Sequence, residues 1–119
     1  MTEYQRGDVV YVNLPATHSS IQAGVRPCII VSNDLCNQHS PVISVVPMTT
    51  QSKRSLPTHL VVADNMVMNV EGFSFKRSTA LCEQIMLISK DMIADKKRAH
   101  IIPRIMRKLD KCLQVQLGL

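Results

Sequence analysis

Gly24-Val25-Arg26-Pro27-Cys28-Ile29-Ile30-Val31-Ser32-Asn33-Asp34 reads as a loop ending in one arginine, then a buried strand, then a polar turn. Residues 25–31 are apolar except for Arg26, and the Ile-Ile-Val run suits a strand covered on both faces. Pro27 belongs at the start of that strand, where a missing N–H is tolerated. An arginine at the lip of a rigid strand is restricted in where its guanidinium can point. Its five donors sit in a fixed fork that suits phosphate oxygens better than an ammonium does. A salt-bridged strand end fits the same residue, and this stretch alone does not choose between the two.

Outward from there, short strands alternate with polar turns. Residues 9–14 carry β-branched and aromatic side chains and form a first strand, stopped by Pro15. Residues 16–24 are polar or small and unpatterned, a long hairpin loop of the kind that often serves as a lid or binding loop. The second strand is 26–32, after which Asn33-Asp34 offers an N-cap or turn and 35–38 a short helical turn. A third strand, 42–46, is closed by Pro47; 49–57 is a polar, basic loop; 59–62 is a fourth strand. Residues 64–72 are ambiguous, because Met66, Met68 and Val70 alternate while Asn65 and Asn69 favour turns. A fifth strand spans 79–88, and Glu83 within it needs a partner, since an unpaired buried charge is expensive. Residues 89–94 read as a turn of helix with Ser89 as cap, and 99–102 as a small strand. Pro103 suits the first turn of a helix, and Gly118 its end. Between them Ile105, Met106, Leu109, Cys112, Leu113 and Leu117 follow helical spacing, with Arg104, Arg107, Lys108 and Lys111 on the other side. Five or six short strands and one C-terminal helix make a mainly β fold, a small barrel that the helix caps.

At 119 residues this is one domain, 1–119, and it buries roughly 65% of its unfolded surface without needing a metal or disulfide. An apolar share of 45% argues against a disordered chain. Fourteen basic against nine acidic residues give +5, which favours an anionic partner without naming it. Cys28, Cys36, Cys82 and Cys112 show no C-x-x-C spacing, and Cys28, Cys82 and Cys112 sit among apolar residues as free thiols. His18, His39, His59 and His100 are scattered without metal-ligand spacing. The N-terminus is polar from Thr2 to Asp8, and no apolar run approaches membrane-spanning length. These features point to a cytoplasmic, reduced chain with no metal and no cofactor.

Five short motifs stand in order along the chain: Arg6-Gly7-Asp8-Val9-Val10-Tyr11, the Gly24–Asp34 stretch, Pro47-Met48-Thr49-Thr50, Leu56-Pro57-Thr58-His59, and Ser78-Thr79-Ala80-Leu81-Cys82-Glu83-Gln84-Ile85. Together they resemble the MazF/PemK family of toxin endoribonucleases from about Tyr4 to Leu119. The resemblance implies an SH3-like barrel with a C-terminal helix (MazF/PemK/CcdB-like) that forms a homodimer. It implies metal-independent cleavage of single-stranded mRNA at short sequences, leaving a 2′,3′-cyclic phosphate and a 5′-hydroxyl. It also implies a separate antitoxin chain whose acidic, flexible segment folds over the toxin's basic groove, and a complex that binds DNA.

The family's catalytic pair maps onto Arg26, the arginine of its G-x-R-P loop, and Thr49, which ends its third strand. The usual assignment makes the arginine a base. A guanidinium with a pKa above about 12 is better suited to neutralise a pentavalent phosphate, with Thr49 hydrogen-bonding a phosphoryl oxygen. The remaining matches imply RNA binding by Ser20 and Gln22 in the first loop, and by Asn33, Asn37, Leu56, Pro57, Thr58, Glu83 and Gln84. Many relatives carry a glutamate where this chain has Ile21, which alters base preference on that side. Arg6 fits a further phosphate contact and equally a surface arginine before a strand, while Lys53 and Arg54 are the better candidates for steering RNA by charge. His59 heads the fourth strand and reads as structural rather than as the acid–base group. Two other readings share the fold: a gyrase-directed toxin, which would not need the Arg26–Thr49 pair, and a non-enzymatic RNA-binding barrel.

Overall fold

In a computed structural model, which describes residues 4–51, 55–70 and 72–119 apart from the side chains of 97 and 98, the Gly24–Ile30 segment becomes strand β2. It lies between β1 (Asp8–Leu14) and β3 (Val42–Thr49), antiparallel to both. Alternation sends its side chains to opposite faces. Cys28 and Ile30 pack with Val10, Val12, Leu14, Ile43, Val45 and Ile88 on one face. Ile29 packs with Val9, Val46, Met48, Ala80, Ile105 and Leu109 on the other. Both faces are buried, which is why the run reads as continuously apolar.

The second face is sealed by α2 (Pro103–Leu117), whose Ile105, Met106, Leu109 and Leu113 are buried while Arg104, Arg107, Lys108 and Lys111 are exposed. Pro103 opens the helix, and Gly118, at φ +72°, closes it in a left-handed conformation that other residues adopt at a cost. The short helix α1 (Asp34–His39) follows β2, its first turn capped by Asn33, whose Oδ1 accepts the Cys36 N–H at 2.9 Å.

The remaining strands are β4 (His59–Val62), β5 (Val67–Asn69), β6 (Ser78–Leu81), β7 (Met86–Ser89) and β8 (Ile93–Ile101). All pairings are antiparallel, in the order β4-β6-β3-β2-β1-β8-β5, with β7 also on β3. The first and last strands of that order are joined by only one 3-10 turn, Asp64–Met66. The sheet therefore curls back on itself into a nearly closed barrel.

Four elements differ from the sequence expectation. Strand β3 does not stop at Pro47 but runs to Thr49. Along one edge it pairs β7 through Val42–Val45 and β6 through Met48–Thr49, so Pro47 falls in the gap between the two partners. The expected strand 79–88 is two strands, broken by a 3-10 turn at Cys82–Gln84, because the chain must step from one end of β3 to the other. The small strand at 99–102 is the end of nine-residue β8, whose charged middle hides its strand character from a hydrophobicity pattern. The ambiguous 64–72 segment holds the 3-10 turn and β5. All four cysteines are free: Cys28 and Cys82 are buried, Cys112 is half-buried and Cys36 exposed. Burial pushes the Cys28 thiol up to about 12, and burial with the nearby Cys112 and Glu83 does the same for Cys82. No helix among the described residues is long and apolar enough to cross a membrane.

Candidate active site

The β2–β3 ladder pairs Ile30 with Val45, Ile29 with Val46 and Cys28 with Pro47. Arg26 and Thr49 each lie two residues beyond the last of these pairs, Arg26 paired with Val12 on β1 and Thr49 with Thr79 on β6. Side chains two residues apart on a strand share a face. Arg26 and Thr49 thus extend the face of Cys28 and Pro47, away from α2. Thr49 is buried, 2% exposed, and Arg26 is half-buried.

Each lines a cleft. Arg26 borders one of about 390 Å³ with Thr17, His18, Ser19, Ile21, Gln22 and Gln51. Thr49 borders one of about 290 Å³ with Thr50, Gln51, Val61, Arg77, Ser78 and Thr79. Gln51 lines both, so the clefts adjoin. Among the described residues neither lining contains a carboxylate. The Arg26 Nε–H donates to Ala23 O at 3.0 Å, which braces the guanidinium against its own loop beside the cleft it lines. The Thr49 Oγ1 accepts the Gln51 N–H at 3.2 Å, so its own proton remains available to donate. A braced cation and a positioned hydroxyl beside adjoining clefts can bind and polarise a phosphodiester.

The loop over the first cleft is pinned by Gln84 from the 3-10 turn. Its Oε1 accepts the Gln22 N–H at 2.8 Å, and its Nε2 donates to Ser20 O at 3.0 Å. Both ends of one amide are spent on backbone, and Ser20 keeps its exposed hydroxyl. Gln22 is half-buried, with an Oε1 that finds no partner among the described residues. Ile21 is exposed at the cleft.

The neighbouring Glu83 is fastened inward. It accepts from Thr58 Oγ1 at 2.8 Å and from His59 Nε2 at 2.7 Å. Burial raises its pKa, but the bonds from His59, its own backbone N–H and Thr58 outweigh that, holding the carboxyl below its ordinary value. A carboxylate only accepts, so the His59 proton sits on Nε2, and the buried Nδ1 has no partner among the described residues. His59 lines neither cleft.

Other expected RNA contacts are likewise engaged within the fold. Arg6 donates from Nε to Val31 O at 2.8 Å and pairs through an Nη with Asp110 at 2.6 Å, while its backbone N–H meets Asp34 at 2.6 Å. Beside it, Gly7 turns at φ +96°, where an added Cβ would stand 3.1 Å from His100 Cε1. Buried Asp8 receives the His100 Nδ1–H at 2.7 Å. Asn37 is buried, donating to Ser32 O at 2.7 Å and accepting from the Ser32 hydroxyl, and Asn33 serves as the α1 cap. Leu56 and Pro57 are exposed. Lys53 and Arg54 lie outside the described residues.

Gln51 and Arg77 are cleft residues that the sequence reading does not single out. Their only sequence signal is non-local: pairing Thr49 with Thr79 brings the Lys76-Arg77 cluster to the end of β3.

Comparison with known proteins places this architecture. Residues 5–117 match the family described as PemK-like, MazF-like toxin of type II toxin-antitoxin system. The chain is 37% identical over 117 residues to Endoribonuclease EndoA of Bacillus subtilis (strain 168), covering 97% of this chain and 95% of that one. A mycobacterial endoribonuclease solved with its cognate antitoxin superposes with a TM-score of 0.73 at 26% identity, over 98% of this chain and 96% of that one. MazF from Deinococcus radiodurans shares the fold, with a TM-score of 0.74 at 17% identity, over 98% and 97% of the two chains. The chain belongs to the PemK-like, MazF-like toxin family of type II toxin-antitoxin systems.

Proposed function

We propose that this protein is an endoribonuclease toxin that cuts single-stranded mRNA by attack of a ribose 2′-hydroxyl on the adjacent phosphate. What supports the reading is that Arg26, braced by Ala23 O, and the Thr49 hydroxyl line adjoining clefts that hold no carboxylate among the described residues. The relative named an endoribonuclease supports it.

In-line attack builds charge on a crowded pentavalent phosphate, so donors already in place lower the barrier without reorganising. Arg26, braced by Ala23 O, neutralises that charge. Thr49 donates to a non-bridging oxygen while Gln51 N–H fixes its Oγ1. The attacking 2′-oxygen loses its proton, the bond to the 5′-oxygen breaks, and that oxygen takes up a proton. The products are a 2′,3′-cyclic phosphate and a 5′-hydroxyl, and no water is consumed. The protein acts in the cytoplasm as a homodimer, and a separate antitoxin chain restrains it by laying an acidic segment over the same clefts. The solved relative in complex with its cognate antitoxin supports that partner.

The test incubates the purified protein with RNA in EDTA, beside the same oligonucleotide carrying a 2′-deoxy residue at the cut. The expected result is cleavage of the first, with a cyclic phosphate end, and none of the second. Cutting of the deoxy strand, or cutting that stops on chelation, would overturn the mechanism.

A further inference from the structure

We propose that Arg77 and Thr79 form a second phosphate-binding subsite, which holds an RNA phosphodiester flanking the scissile one on the Thr49 side. The proposal rests on the ribonuclease reading for the identity of its ligand. Its location rests on the pairing of β3 with β6.

That pairing sets Thr49 directly across from Thr79, two residues after Arg77. Arg77 is exposed and Thr79 half-buried, and both line the Thr49 cleft. The lining supplies the side chains of Thr49, Thr50, Gln51, Ser78 and Thr79, one guanidinium, and Val61 as its apolar member. Ser78 spends its proton on Lys76 O at 2.8 Å, which leaves the threonines, Gln51 and Arg77 as the donors facing the cleft.

A solitary surface arginine is ordinarily a solvated one. Arg77 differs through its surroundings. Among the described residues it has no carboxylate or carbonyl partner, and no carboxylate shares its cleft. Arg6 makes the contrast, with its side chain committed to Val31 O and Asp110. Because Gln51 borders both clefts, a strand laid past Arg26 continues past Thr49 to Arg77. A polyanion with regularly spaced charges can engage both guanidiniums at once, and the fork of Arg77 suits two phosphate oxygens. Cation contacts of this kind supply affinity and register rather than base preference.

The experiment measures binding of an uncleavable oligonucleotide across a range of salt concentrations. The oligonucleotide carries a 2′-deoxy residue at a cut site mapped on a long transcript, and the protein is wild type, Arg77→Ala, Arg77→Lys or Arg104→Ala. Arg104, exposed on α2, controls for net charge. Loss of one phosphate contact on a single strand flattens the slope of log K against log[salt] by about 0.7. Arg77→Ala is expected to show that flattening and a raised KM with kcat unchanged. Arg77→Lys should keep the slope, and Arg104→Ala should match wild type.

A wild-type slope in Arg77→Ala, or equal flattening in Arg104→Ala, would overturn the subsite while leaving cleavage untouched. If the wild-type protein does not cut RNA at all, the ribonuclease reading fails separately. The uncut transcript then serves as ligand. Flattening by Arg77→Ala alone still supports the subsite, and its absence ends it.

Discussion

Arg26 and Glu83 are both charged residues at the rim of the barrel, and the fold treats them in opposite ways. Arg26 gives one donor to Ala23 O and lines a cleft that holds no carboxylate among the described residues. Glu83 spends both carboxylate oxygens on Thr58 and His59. The Arg26 cleft adjoins, through Gln51, the cleft of Thr49 and Arg77, and together they make a free region. Around Glu83 stand Thr58, His59 and Gln84, a fastened one. The free region can stabilise charge that develops only during a reaction, whereas the fastened region has already met its electrostatic needs within the chain. Side chains of similar polarity are thus left free in one region and fastened in the other, and residue type alone does not say which.

The sharpest way to break this comparison is to remove the free cation. Arg26→Ala is expected to lower kcat by about 100-fold or more, the usual cost of deleting one preorganised donor to a transition-state anion. Arg26 is half-buried, and among the described residues its side chain bonds only to its own loop, so the midpoint of thermal unfolding should barely move. Near-normal turnover in this variant would end the role proposed for Arg26. Single-turnover cleavage rates, read beside an unfolding curve, separate the two effects.

Removing the fastened anion should do the reverse. Glu83→Ala strands the Thr58 hydroxyl and the His59 ring, each mostly buried, and should cost about 1–3 kcal/mol in a denaturant titration. The pH dependence carries a definite sign. The folded-state pKa of Glu83 lies below its unfolded value, so its contribution is fully present above the unfolded value of 4.5. That contribution is lost as pH falls through the depressed folded-state pKa. The stability gap between wild type and Glu83→Gln should therefore be constant near neutrality and close in acid below about pH 4.5. A gap that widened on acidification would contradict the inward pairing.

The comparison also explains what the sequence could reveal. β2 and α2 were legible because each is punctuated and periodic: Pro27 and the Ile-Ile-Val run for one, Pro103, the helical spacing and Gly118 for the other. Arg26 and Thr49 were singled out by the motifs that contain them and not by strand ends, since Arg26 lies inside β2 and β3 runs past Pro47 to Thr49. The break at Cys82–Gln84 was not, because an apolar run looks the same whether it continues straight or steps sideways to a new partner. Strand β8 was hidden by its charged middle. Glu83 announced that it needed a partner, but not that Thr58 and His59 would supply it. Arg77 was present only as part of a charge pair, since its meaning depends on β6 lying against the far end of β3. In each case the missing information was a long-range pairing, which local propensity does not encode.

Gln84 lies on the border between the two regions and offers the finest test. Its amide belongs to the fastened turn, yet what it holds is the loop over the free cleft: Gln22 N–H on one side, Ser20 O on the other. Two hydrogen bonds at roughly 1 kcal/mol each set the stake, part of which water repays once the loop opens. Gln84→Ala should therefore lower kcat/KM by about tenfold, less than the Arg26 variant. Amide hydrogen exchange at Gln22 should quicken by a similar factor while exchange in β2 and β3 stays unchanged. Gln84→Glu discriminates further, because its carboxylate still accepts from Gln22 N–H but repels Ser20 O. If the loop is held as described, Gln84→Glu quickens exchange at Gln22 less than Gln84→Ala does. If Gln84 instead met the RNA directly, cleavage would fall in both variants with the Gln22 amide as protected as in the wild type.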